Sequence, residues 1–153
     1  METLLVSTKK ISYQYFTSFF EGPVRIKLSQ SAKDNIKRSH NNLQSILKSK
    51  ESVYGVNTGF GNLSHIPISD KDQKKLQTNL VKSHASGIGE ALDAGTVRVV
   101  LFLKLLTYIH GYSGVRPVVV NKIIQFINKD ILPVIPKKGS VGASGDLAPL
   151  GHM

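Results

Sequence analysis

The chain has 153 residues and a formal net charge of +10, from 20 Lys and Arg against 10 Asp and Glu, with no Cys and no Trp. The length suffices for a domain with a real core, and the lack of Cys excludes a disulfide framework and a thiolate metal site. The basic balance raises nucleic-acid binding. However, the cations come singly or in pairs (Lys9-Lys10, Lys37-Arg38, Lys74-Lys75, Lys137-Lys138) without a basic stripe or interleaved aromatics, so they read as solvated faces.

Met1 to Val6 has no basic region ahead of a long apolar run, so it does not read as a signal peptide. Thr3 to Ser7 suits a short strand, and Ser12 to Phe20 a short helix ending at Gly22-Pro23. Val24, Ile26 and Leu28 alternate with Arg25 and Lys27, the pattern of a strand with one buried face. Ser29 or Ser31 then caps a helix with Ala32, Ile36, Leu43, Ile46 and Leu47 on one side, ending near Lys50. Ser52 to Ile68 reads as a loop shaped by Gly55, Gly59, Gly61 and Pro67.

Ser69-Asp-Lys-Asp72 has the form of a capping box. In the helix it opens, Leu76, Leu80 and His84 recur at i, i+4 and i+8 and share one face. Gly87-Ile-Gly89 stops that helix. Asp93 opens the next, through about Tyr112, and its apolar residues run nearly all round, as in a helix buried inside something larger. Its most apolar part, Val97 to Ile109, is broken by Lys104 and is too short to span a bilayer, so a cytoplasmic protein without a membrane partner is expected. Gly111 to Gly114 breaks the chain and Pro117 suits a new first turn. Val120, Ile123, Ile124, Ile127 and Ile131 form a stripe that Pro133 and Pro136 end. The last helix begins near Asp146 and has no stop signal before Met153, so the chain reads as the incomplete first part of something longer. His40, His65, His110 and His152 lack metal-ligand spacing and read as structural or surface residues; no metal site is expected.

Between the prolines and the last helix lies Gly139-Ser-Val-Gly-Ala-Ser-Gly-Asp-Leu-Ala-Pro-Leu-Gly151. Its Ala143-Ser144-Gly145 can make an electrophile from its own backbone. The Gly145 amide nitrogen attacks the Ala143 carbonyl carbon and closes a five-membered ring. Loss of two waters, one carrying the Ser144 hydroxyl, leaves an exocyclic methylidene. Gly145 offers an unhindered nitrogen and tolerates unusual φ/ψ, Ala143 is small, and Ser144 has a β-hydroxyl to eliminate. Ordinary side chains include no strong electrophile, so a made one implies covalent catalysis. A flexible helix-capping loop or a phosphate-binding turn is the alternative, but the Lys-Ser/Thr of a P-loop is missing.

The stretch GSVGASGDLAPL resembles the active-site signature of the aromatic amino acid ammonia-lyases. Tyr54-Gly-Val-Asn-Thr-Gly-Phe-Gly61 is similar to the family's YGxNTGFG, and Ser83-His-Ala-Ser-Gly-Ile-Gly89 resembles the SHAxGIG of its histidine-specific branch. The resemblance runs over essentially all 153 residues but only the family's N-terminal part. It implies a mainly α fold, the N-terminal portion of a large helical-bundle lyase with a small mixed α/β start: a mixed region over residues 1–92, then the first helices of the central region over 93–153.

The implied activity is elimination of ammonia from L-histidine to trans-urocanate. The electrophile would be a 4-methylidene-imidazol-5-one formed autocatalytically from Ala143, Ser144 and Gly145, with no external cofactor. Tyr54 would remove the substrate β-proton and His84 would contact the substrate ring, while Gly55, Asn57, Gly59, Gly61, Gly142 and Asp146 support the site. Taken singly, Tyr54 also reads as a loop anchor and His84 as a core histidine beside Leu80. An imidazole can pair with another imidazole or with a phenol, so a tyrosine ammonia-lyase or aminomutase stays open, as does an inactive fragment. The family implies a homotetramer with sites built from several subunits, so the 153 residues alone are expected to be inactive.

Overall fold

Two segments of period-two sequence begin the fold. The computed structural model describes residues 3–49, 51–59, 61–63, 65–66, 68–139, 141–142 and 145–153, of which 63, 70, 73, 74, 141, 142, 145 and 146 are described by backbone alone. β1 (Thr3–Val6) and β2 (Arg25–Leu28) pair in parallel, from Thr3 opposite Arg25 to Val6 opposite Leu28. Ile26 and Leu28 are buried while Arg25 and Lys27 are exposed, as the alternation predicts. Parallel strands need a crossover, here a 3-10 turn (Tyr13–Phe16) running into α1 (Thr17–Glu21).

α2 spans Gln30–Ser49, and Ser29 Oγ accepts the Ala32 N–H at 3.2 Å, which makes Ser29 the cap. Ala32 and Ile36 of its apolar stripe are buried, but Leu43 and Leu47 are half-buried and Ile46 is exposed. The stripe is therefore covered over its first half only.

α4 (Ala94–Ile109) starts at Asp93, whose carboxylate accepts the Thr96 N–H at 2.9 Å and its hydroxyl at 2.7 Å. Those bonds, the backbone one first, hold the Asp93 carboxyl below its ordinary value. Val97, Leu101, Phe102, Leu105 and Ile109 are buried, and Phe102 stacks on Phe19 with ring centroids 4.6 Å apart. The helix ends at Ile109, short of the expected Tyr112, where the Gly111 N–H turns back to the Tyr108 carbonyl at 3.1 Å.

α5 (Pro117–Lys129) has Pro117 in its first turn and buries Val120, Ile123 and Ile127. Asn128 clamps β2, accepting the Ile26 N–H at 2.7 Å and donating to the Ile26 carbonyl at 3.1 Å. Pro133 and Pro136 do not end α5. It stops earlier, at Asp130 in the left-handed region with φ 53°, and Ile131 lies beyond it, exposed. The Asp130 and Ile131 N–H groups close the helix there, donating to the Ile127 and Phe126 carbonyls at 3.2 and 2.9 Å. Arg98 holds that turn: its Nε and Nη2 donate to both Asp130 carboxylate oxygens at 2.7 and 2.9 Å, and its Nη1 donates to the Phe19 carbonyl at 3.1 Å. One buried guanidinium thus ties α1, α4 and the end of α5, and its hydrogen bonds hold the Asp130 carboxyl below its ordinary value.

These elements make one compact unit, Met1–Leu43 with Ala91–Ile135; Gln44–Glu90 with Pro136–Met153 make a second. The second holds a 3-10 turn (Gly61–Leu63), α3 (Asp70–His84), β3 (Ile88–Ala91, whose last residue belongs to the first unit), β4 (Pro136–Lys138), β5 (Val141–Gly142), β6 (Gly145–Asp146) and α6 (Ala148–His152). Ser69 caps α3 as expected, accepting the Asp72 N–H at 3.3 Å and donating to its carboxylate at 2.6 Å. Leu76, Leu80 and His84 are half-buried on one face.

Strands appear where only turns were expected. The segment around Gly87-Ile-Gly89 continues into β3, which pairs with β4, and Gly145–Asp146 pair with β5. The last helix consequently starts at Ala148 rather than near Asp146. These strands have two to four residues, too few for a period-two pattern to show. The fold is mainly helical with small sheets, as the sequence implied. No described helix is long and apolar enough to cross a membrane.

Candidate active site

The three glycine-rich motifs, far apart in sequence, all fall in the second unit. The loop of Tyr54 is shaped by Asn57. Asn57 Oδ1 accepts the Val53 N–H at 2.8 Å and Nδ2 donates to the Glu51 carbonyl at 2.7 Å, so the amide closes the loop on itself. Backbone bonds from Ile68 to Asn57 (2.8 Å) and from Gly59 to Ile66 (3.0 Å) tie its two arms together, and Thr58 and Gly59 are buried between them. Gly55 and Gly61 take φ of 73° and 57°, the region that favours glycine. Tyr54 is 63% exposed, and its phenol oxygen accepts the Gly61 N–H at 3.5 Å. Phe60 and Pro67 of this loop lie outside the described residues.

His84 is the last residue of α3 and half-buried. Its Nδ1 lies 2.7 Å from the Leu80 carbonyl and 3.1 Å from Ser83 Oγ. A carbonyl only accepts, so Nδ1 carries the proton and Nε2 is an acceptor. The bond back to Leu80 fixes the ring against the last turn of the helix. His84 thereby presents an acceptor edge suited to an N–H or O–H on a substrate ring.

Ala143 and Ser144 lie outside the described residues. Their flanks are placed: Gly142 is opposite Gly145 and Val141 opposite Asp146 in an antiparallel ladder. The ladder sets Gly142 and Gly145, the residues on either side of Ala143-Ser144, opposite one another. α6 follows and packs on α3, with Ala148 buried. On the other side β4 leads into the segment and pairs with β3, which follows the turn after His84. The His84 turn and the 139–151 segment are therefore joined at two places. Among the described residues no three His, Asp or Glu gather as metal ligands.

The family model of the aromatic amino acid lyases matches residues 11–153. The chain belongs to that family. The chain is 43% identical to the histidine ammonia-lyase of Aliivibrio fischeri (strain MJ11) over all 153 residues, or 30% of that protein's length. It is 40% identical to that of Salmonella typhimurium, again over 30% of it. In structure it matches histidine ammonia-lyase from Trypanosoma cruzi with a TM-score of 0.86 and 29% identity, covering 99% of this chain and 29% of that one. Tyrosine aminomutase from Streptomyces globisporus matches with a TM-score of 0.89 and 28% identity, covering 99% and 28%. Ergothionase from Treponema denticola, an ergothioneine-degrading enzyme, matches with 0.91 and 26%, covering 99% and 30%. The chain thus spans about 30% of the curated relatives it matches.

Sequence reasoning missed Arg98 and Asp130. The signal was there, a lone guanidinium in an apolar helix and an Asp just past a helix end. His152, expected to be structural or surface, is structural: its Nε2 accepts the Gly87 N–H at 2.9 Å.

Proposed function

We propose that this chain is the electrophile-bearing segment of a histidine ammonia-lyase, which eliminates ammonia from L-histidine to give trans-urocanate. The observation that carries the reading is the gathering of the Tyr54 loop, the His84 turn and the 139–151 segment in one compact unit. The 43% identity to a histidine ammonia-lyase over all 153 residues supports histidine as substrate. The 4-methylidene-imidazol-5-one closed from Ala143, Ser144 and Gly145 would supply the electron-withdrawing centre that lets ammonia leave. The Gly142–Gly145 ladder fits that closure.

The remaining work falls to side chains. His84 Nε2 accepts the N–H of the substrate imidazole and orients it. Tyr54, as phenolate, takes the β-proton; the freed C–H electron pair becomes the new C=C bond as the C–N bond breaks. Asn57, Gly55, Gly59 and Gly61 hold the Tyr54 loop, while Gly142 and Asp146 hold the ends of the tripeptide. The second unit buries little among its described residues, so we take the 153 residues alone to be inactive; the family resemblance implies a homotetramer that covers the site, and a cytoplasmic location is the default reading. A tyrosine substrate is the second reading, because His84 Nε2 accepts a phenol O–H equally well.

The test is a chimaera in which residues 1–153 replace the matching segment of the Aliivibrio fischeri histidine ammonia-lyase. It should release urocanate from histidine, and Ser144→Ala, with no β-hydroxyl to eliminate, should abolish that release in a folded protein. Preference for tyrosine in the chimaera would favour the second reading.

A further inference from the structure

We infer that His152 is a positioning residue for substrate-ring recognition: it fastens the helix after the electrophile-forming tripeptide to the turn that carries His84. The inference rests on the roles proposed above for His84 and Ala143-Ser144-Gly145. Two contacts carry it. The Gly87 N–H donates to His152 Nε2 at 2.9 Å, joining residues 65 positions apart. An accepting Nε2 places the ring proton on Nδ1. Beside it, Gly151 lies directly on the end of α3. A Cβ at position 151 would meet the Ala85 nitrogen at 2.8 Å and the His84 carbonyl carbon at 2.9 Å, both backbone atoms. Gly87 is matched to the arrangement, since a Cβ there would meet His152 Nε2 at 3.0 Å and Pro136 Cβ at 3.1 Å.

α6 has five residues and cannot hold itself as an isolated helix. Its place depends on tertiary contacts, among them the burial of Ala148 and the two contacts with the His84–Gly87 turn. The His84 ring is fixed to its own helix through Leu80. On the C-terminal side of Gly145, its position relative to that residue is therefore set through 148–152 and 85–87. The β3–β4 ladder is the other tie, on the N-terminal side of the tripeptide; the Lys137–Glu90 ion pair across it, at 2.9 Å, is exposed at both side chains and adds little. Removing the imidazole leaves the Gly87 N–H without that acceptor and loosens the turn under His84. The base and the electrophile are untouched, so ring recognition should suffer before chemistry.

The first measurement uses the 153-residue chain. Amide exchange at Gly87 should be about tenfold faster in His152→Ala and near parental in His152→Gln, whose Oε1 can accept the same N–H. The second uses the chimaera. His152→Ala should still be lighter by two waters, with KM for histidine raised about tenfold and kcat within about threefold, and His152→Gln should restore KM to within about threefold. Unchanged exchange at Gly87 would overturn the inference. So would a fall in kcat with KM unchanged, or a Gln variant that behaves like the Ala variant. A parent chimaera of full sequence mass that releases no urocanate would overturn the functional reading and the inference with it, whatever Gly87 does.

Discussion

The unit of Met1–Leu43 and Ala91–Ile135 packs Phe19, Leu101, Phe102, Leu105 and Ile127 away from water, whereas Gln44–Glu90 with Pro136–Met153 bury only Thr58, Gly59 and Ala148 among their described residues. The first unit is held by apolar area and one buried ion pair. The second is shaped by backbone hydrogen bonds, an Asn that closes a loop, and glycines that permit close approach. All the motif residues lie in the second. Stability and chemistry are thus carried by different stretches of one chain, and substitutions should separate them.

In the first unit, Phe102→Ala should cost about 3–5 kcal/mol in denaturant unfolding, because the ring is fully buried against Phe19 and Phe16. Arg98→Met should cost about 2–4 kcal/mol, since it strands the Asp130 carboxylate and the Phe19 carbonyl. Neither should alter Gly87 amide protection in molecules that remain folded. If Arg98→Met left stability unchanged, the view of that pair as the tie between α1, α4 and α5 would fail.

In the second unit the order reverses, with large effects on turnover and small ones on unfolding. Tyr54→Phe in the chimaera should lower kcat by about 10²-fold or more with the two waters still lost. A change in thermal stability alone would make Tyr54 a loop anchor. His84→Leu should reduce kcat/KM for histidine by about tenfold through loss of one polar contact, and an unchanged substrate profile would return His84 to a structural role.

The smallest effect is one of pH. Asp130 is held below its ordinary value of 3.8 by Arg98. Its contribution is therefore present above that value and lost as pH falls through the lower folded pKa. Asp130→Asn should flatten the acid limb of the stability profile, and an unaltered limb would contradict the assignment.

Much of this was legible in sequence where the pattern is local. The Asp93 and Ser69 caps, the buried Ile26 and Leu28, and the shared face of Leu76, Leu80 and His84 follow from periodicity and capping chemistry. The end of α5 differs from the expectation because a left-handed turn at Asp130, not the downstream prolines, closes it, and a non-glycine residue gives little sequence sign of that turn. β3 to β6 were not anticipated, because strands this short are specified by their partners. The motif residues were recognisable one segment at a time, but the joining of 139–152 to the His84–Gly87 turn depends on contacts across the chain.

The central claim is that Ala143-Ser144-Gly145 makes the electrophile of a lyase. Intact-mass measurement of the chimaera beside its Ser144→Ala variant tests it most directly. The account predicts a parent chain lighter than its sequence by two waters and a variant at its full mass. A parent at full mass that still converts histidine to urocanate would contradict it.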